Sequence, residues 1–97
     1  MTIEWSTRAK EDYEANIRWL LEERTEQEAI NFIDAVESTL WQLRRFPNLF
    51  QQTGYKGLYG GPVIPVINVF YRIDWKENVI ELVRFWHNEQ SPTRFSS

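Results

Sequence analysis

The stretch Val66–His87, VINVFYRIDWKENVIELVRFWH, decides the fold. It reads as two β-strands, Val66–Ile73 and Val79–Trp86, folded back on a polar turn. Both runs are rich in β-branched and aromatic residues, the types that fit a pleated, half-buried surface. Between them Asp74, Lys76, Glu77 and Asn78 supply turn-tolerant chemistry. In the first strand the odd positions Ile67, Val69, Tyr71 and Ile73 are all apolar, whereas the even positions mix Val66 and Phe70 with Asn68 and Arg72. One face is therefore expected to be buried and the other to be apolar with polar interruptions. A hairpin this apolar does not stand alone in water, so other elements must cover it.

The cover lies upstream. Ser6 offers an N-cap, and Ala9, Tyr13, Ile17, Leu20 and Leu21 then recur with helical period, predicting a helix from Thr7 to Glu23. Thr25-Glu26-Gln27-Glu28 forms a capping box for a second helix. Its stripe is Ala29, Ile33, Val36, Leu40 and Leu43, widened by Phe32, and it stops at Phe46-Pro47 because proline cannot continue the ladder. So short a gap between the helices makes an antiparallel helical hairpin. Thr2–Trp5 is a short alternating run that needs an interior strand as partner. Asn48–Pro62 is irregular, with a short strand expected around Leu58 and Tyr59. Pro62 and Pro65 flank Val63-Ile64 and point to an edge or a bulge. Asn88–Ser97 is polar apart from Phe95 and reads as a surface tail. The order is β-α-α-(β)-β-β. It predicts an α+β fold in which an N-terminal strand and a helical hairpin pack on a small antiparallel sheet, with residues 1–97 as one domain.

Composition narrows the function classes. The chain has 97 residues and a formal net charge of −3. Residues 1–46 carry six Lys/Arg against ten Asp/Glu, and residues 47–97 carry five against four. Those totals give no hint of the basic face by which proteins neutralise nucleic-acid phosphates, and any local patch has to be small. Cysteine is absent, so disulfides and thiolate metal sites are excluded. The glutamates of Glu22-Glu23 and Glu26…Glu28 have no second histidine to join in a metal site, so neither metal nor cofactor is expected. No basic leader with an apolar run opens the chain and no segment approaches membrane-spanning length, so a cytoplasmic location is expected. Five Trp, six Phe and four Tyr are a heavy aromatic load for this length, and some rings are expected at a contact surface.

Three stretches, IEWSTRAKEDYEANIRWL, EAINFIDAVESTLWQLRRFPNLF and FYRIDWKENVIELVRFWHNEQSP, together resemble the RelE/ParE superfamily, the toxins of type II toxin–antitoxin pairs. In that family a strand leads into a helical hairpin ending in a Leu…Pro turn. A Tyr-Arg strand follows, then a strand ending near His, then a Pro-containing tail. Leu43…Pro47, Tyr71-Arg72, His87 and Pro92 stand in those places. The resemblance implies a cognate antitoxin as partner and DNA gyrase or the ribosome as target, and it leaves self-association open. Members that cut mRNA carry an Arg shortly before the central Tyr and further cations upstream. Here Asn68 takes that place, and Gly57–Val66 has no basic residue. Metal-free cleavage must activate a 2′-hydroxyl, stabilise a phosphorane and protonate a leaving oxygen. The departures therefore favour a ParE-like inhibitor that acts by binding over an mRNA endonuclease, with a non-toxic interaction module as the third reading.

The site candidates follow. His87, the only histidine, is a general acid or polar contact in one reading and a strand-end residue bonded to a backbone carbonyl in the other, which the missing base favours. If residue 73 pairs with 79, Asn68, Arg72, Arg84 and Trp86 share a face able to hold a phosphate or an acidic segment. A slip of one residue separates the two arginines. Pairing of Arg72 and Arg84 with neighbouring carboxylates is the plainer expectation. Trp19 and Trp41 lie off the helical stripes. They are either outward contacts, with Trp86 and Phe50, or part of a flanking cluster with Phe46 and Phe50. Arg44-Arg45 complements the end of the second helix.

Overall fold

The computed structural model describes residues 1–89, and from residue 90 onward the expected surface tail, including Pro92 and Phe95, lies outside the described residues. The elements run β1 (Thr2–Trp5), α1 (Thr7–Glu23), α2 (Glu26–Arg45), β2 (Gln51–Gln52), β3 (Tyr59–Ile64), β4 (Ile67–Asp74) and β5 (Val79–His87). Local chemistry sets the helix starts as the sequence implies. The Ser6 hydroxyl accepts from the Ala9 amide at 3.0 Å, and the Thr25 hydroxyl accepts from the Glu28 amide at 3.1 Å. Glu26 and Glu28 occupy the first turn of α2, and Arg44 and Arg45 occupy its last, as the helix dipole favours.

The strands form one five-stranded sheet in the order β1-β5-β4-β3-β2. β5, β4, β3 and β2 are antiparallel neighbours, as expected, and β1 makes the sheet mixed by running parallel to β5, with Thr2 opposite Val79 and Trp5 opposite Leu82. The direction follows from what comes next. The Ser6 amide donates to the Leu82 carbonyl at 3.0 Å, and α1 continues along the same edge of β5. β3 is antiparallel to β4, and its register shifts between Pro62 and Ile64. β2 pairs only with Tyr59 and Gly60, so Pro62 stands where no neighbour needs its missing N–H.

Both helices cover one face of the sheet. Phe32, Leu43, Val69, Tyr71, Ile80 and Leu82 meet there with no exposed surface. The helices are rotated slightly from the simplest stripes. Leu21 and Ile33, expected inside, are 51% and 36% exposed, while Phe32 is fully enclosed. Each residue turns a helix by about 100°, so Leu21 falls well round from Leu20, and the buried stripe is shifted to the other flank, where Asn16 is enclosed beside Ala9 and Leu20. Tyr71 ties the loop after α2 to this core. Its hydroxyl donates to the Pro47 carbonyl at 2.8 Å and accepts from the Phe50 amide at 3.4 Å. Its ring stacks on Tyr59 at 5.3 Å, and burial pushes its phenol pKa up.

Candidate functional site

The face of the sheet turned away from the helices gathers Arg72, Arg84 and Trp86 of the sequence candidates, and a β-bulge is what brings them together. Ile73 pairs with Ile80 and Arg72 with Glu81, one residue out of the register that joins 73 to 79. Continued unchanged, this pairing would set Arg84 opposite Val69 and turn it into the core. Instead the register shifts after Tyr71, with Leu82 opposite Tyr71 but Arg84 opposite Phe70. Val83 is the extra residue, and the buried positions of β5 jump from Leu82 to Phe85. Asn68, Phe70, Arg72, Arg84 and Trp86 therefore share the open face after all.

The two arginines on that face are held apart by different partners. Arg72 is exposed and donates to the Lys56 carbonyl at 3.1 Å. Arg84 is clamped by Asp12 of α1, with Nε to Oδ2 at 2.6 Å and Nη2 to Oδ1 at 3.1 Å. Its guanidinium also lies 5.0 Å from the Trp86 ring centroid. A cation engaged by a carboxylate and an indole at once has little charge left for a phosphate. Thr53, Tyr55, Leu58, Phe70, Val83, Arg84 and Trp86 line a mostly apolar groove beside it. Phe70 lies flat there because Gly60 opposite has no Cβ, which would overlap its ring.

Asp12 and Asn16 of α1, with the N-cap Ser6, complete the edge of β5 beyond the end of β1. Asp12 accepts from the Phe85 amide at 3.0 Å, Asn16 donates to the Phe85 carbonyl at 3.1 Å, and the Ser6 hydroxyl donates to the Val83 carbonyl at 3.1 Å. Side chains of a helix thus stand in for a missing strand and satisfy backbone groups that burial would otherwise leave costly. The sequence reading missed these roles. The available signal was polar Asp12 and Asn16 lying beside the apolar stripe of Ala9, Tyr13 and Leu20.

His87 lies on the other side of the sheet. It is 4% exposed, its ring centroid is 4.0 Å from that of Trp19, and its Nε2 has no hydrogen-bond partner among the described residues. Burial lowers its pKa below the ordinary value, opposed by the Glu89 charge and reinforced by that of Arg24. Arg24 also pairs with Glu89 at 2.9 Å and lies over Trp19 at 5.3 Å. Trp19 is therefore half-buried against His87, off the apolar stripe yet not turned outward. Phe50 is half-buried as well, its ring lodged against Gly61 and near Tyr71. Trp41 is 55% exposed on α2 with Arg45 stacked 4.8 Å away, and the same guanidinium lies over exposed Phe46. Among the described residues, no three His, Cys, Asp or Glu side chains are grouped to hold a metal ion, and no helix is long and apolar enough to cross a membrane.

Known proteins share this architecture. The chain superposes on a chain of the chromosomal ParDE system of P. aeruginosa with a TM-score of 0.74 at 14% identity, covering 92% of this chain and 97% of that one. The YoeB/ParE toxin from Agrobacterium tumefaciens gives 0.67 at 15%, covering 90% and 98%. The RelBE2 toxin–antitoxin complex from Mycobacterium tuberculosis gives 0.62 at 18%, covering 89% and 95%. At such identities these likenesses speak to the fold. No curated protein matches the sequence. The family described as ParE toxin of type II toxin–antitoxin system, parDE, matches residues 3–92, nearly the whole chain. On that match the chain belongs to the ParE toxins of type II toxin–antitoxin systems.

Proposed function

We propose that this toxin stops growth by binding its target, DNA gyrase, through the open face of the sheet, and that it does not cleave RNA. The observation that carries the reading is the separation of the chemistry. His87 is enclosed on the helix-covered face, while Arg72 and Arg84 lie on the opposite one. Cleavage at a 2′-hydroxyl needs an acid–base group and a charge-stabilising donor around one phosphate. Here a sheet lies between them, and Asp12 already balances Arg84. The open face instead offers a protein partner an apolar groove with aromatic walls, with Asn68 and Arg72 on the same face of the strands, the composition of a recognition surface. The cognate antitoxin then neutralises the toxin by occupying surface that the target needs.

Induction without antitoxin tests this. We expect induction of DNA-damage signalling, transcripts with unchanged 5′ ends, and inhibition of gyrase supercoiling by the purified chain. New codon-linked 5′ ends would establish the endonuclease reading in its place. Normal growth at full expression would identify a non-toxic interaction module.

A further inference from the structure

The outward side of α2 carries a charge pattern that neither the core nor the open face uses. Its inward side holds Ala29, Phe32, Val36, Leu40 and Leu43. Ile30, Asp34, Glu37, Trp41 and Arg44 recur every three or four residues on the outward side, with Ser38 at the middle. Ile30 and Trp41 are 41% and 55% exposed. Asp34, Glu37, Ser38, Trp41 and Arg44 line one shallow depression. The ion pairs among the described residues engage Arg8, Asp12, Arg24, Glu28, Arg84 and Glu89, leaving the charges of this stripe to other partners.

Read along the helix, the stripe passes from acid to base, so it is complementary to its own reversal. A twofold axis beside residue 39 would set Asp34 against Arg44 of a second copy, Glu37 against its Trp41, and Ile33 against the stem of its Arg45. Glu37 and Trp41 then lie where the helices approach most closely, and Ser38, the smallest side chain lining the depression, stands on their flank. We propose that the outward face of α2 is a homodimer interface in which two copies of this chain cross antiparallel. Each Trp41 fills the depression beside Glu37 and Ser38 of the other copy. The indole is already fixed by Arg45, so little side-chain freedom is lost on contact. α2 is 20 residues long. A helix of that length spans about 30 Å, and one crossed pair falls at the small end of specific interfaces, below about 1,200 Å². The dimer is therefore concentration-dependent and weakened by salt.

Sedimentation velocity of the purified chain over a hundredfold range of concentration tests the proposal. We expect the wild type to rise from one chain to two, whereas Asp34→Arg and Arg44→Asp each stay monomeric. An equimolar mixture of the two variants should dimerise again, because both contacts across the axis are then of opposite sign. Both positions are exposed, and circular dichroism verifies that each variant is folded. A wild type that stays monomeric overturns the proposal, and loss of antitoxin binding in the same variants would give the stripe to that partner. Variants that dimerise like wild type place any interface elsewhere. Failure of the mixture to recover overturns the antiparallel pairing.

Discussion

The two faces of the β4–β5 hairpin draw on the same kinds of residue and meet different fates. On the covered face Ile67, Val69, Tyr71, Ile80, Leu82 and Phe85 are out of water, and even His87 is enclosed. On the open face Asn68, Phe70, Arg84 and Trp86 keep part of their surface, and Arg72 is exposed. Phe85 and Trp86 are adjacent aromatics on opposite sides, one built into the core and one lining a groove. The contrast teaches that side-chain type does not assign a role in this sheet. Parity along the strand does, and the bulge at Val83 resets the parity halfway along.

If the covered face holds the fold together, truncating it should cause the largest loss. Phe32 is fully buried, 5.6 Å from the Tyr13 ring centroid and 6.3 Å from that of Phe85. We expect Phe32→Ala to cost about 3–5 kcal/mol and Leu40→Ala about 2–5. Urea denaturation measures both, and losses below about one kcal/mol would show that the core reading is wrong.

The next effect sits at the seam between the faces. Asp12 serves the guanidinium of Arg84 and the amide of Phe85 together. Asp12→Ala should cost about 2 kcal/mol, since it leaves both donors short of an acceptor where water reaches only in part. Asp12→Asn keeps an acceptor and should cost less. Equal losses from the two would mean that the charge, not the backbone contact, carries the stabilisation.

A third comparison uses pH. The folded-state pKa of His87 lies below its ordinary value of 6.5. Above that value both folded and unfolded states are neutral, and stability is complete. As pH falls through it the unfolded chain takes up the proton first, so stability is lost with acid at up to about 1.4 kcal/mol per pH unit. His87→Phe keeps a ring against Trp19 and removes the titrating group. Thermal melts between about pH 7.5 and about pH 5.5 should therefore fall more steeply for wild type than for the variant. Parallel profiles would show that His87 is hydrated and relaxed in solution.

Much of this was legible in the sequence. Ser6, the Thr25 capping box and Phe46-Pro47 mark the helix ends, because caps and proline act locally. The alternation from Ile67 to Ile73 names the buried face of β4. What stayed hidden depends on contacts distant in the chain. Nothing near Thr2 says that β1 runs parallel to β5, and nothing near Val83 says that one residue bulges. The slip of register at the turn and its repair at the bulge cancel, so Arg72 and Arg84 share a face by a route that periodicity alone does not reveal. The missing base already favoured reading His87 as a strand-end residue, but nothing near it in the chain says what covers it. The ring of Trp19, 68 positions earlier, is what encloses it.

The smallest stability effect should come with the largest functional one, and that is where the contrast between the faces is sharpest. Arg72 is exposed, and its hydrogen bond goes to a loop carbonyl that water also reaches. Arg72→Ala should change stability by no more than about 0.5 kcal/mol. If the open face engages the target, the same substitution removes a fork of donors from the rim of that contact. Growth inhibition should then drop well beyond what the stability change explains, while antitoxin-bound protein accumulates as before. His87→Phe is the matched control from the covered face, expected to keep toxicity. Toxicity kept in Arg72→Ala but lost in His87→Phe would reverse the assignment and return the acid–base chemistry to His87. Loss in both, with unchanged melting, would mean that the target reads both faces across the end of β5.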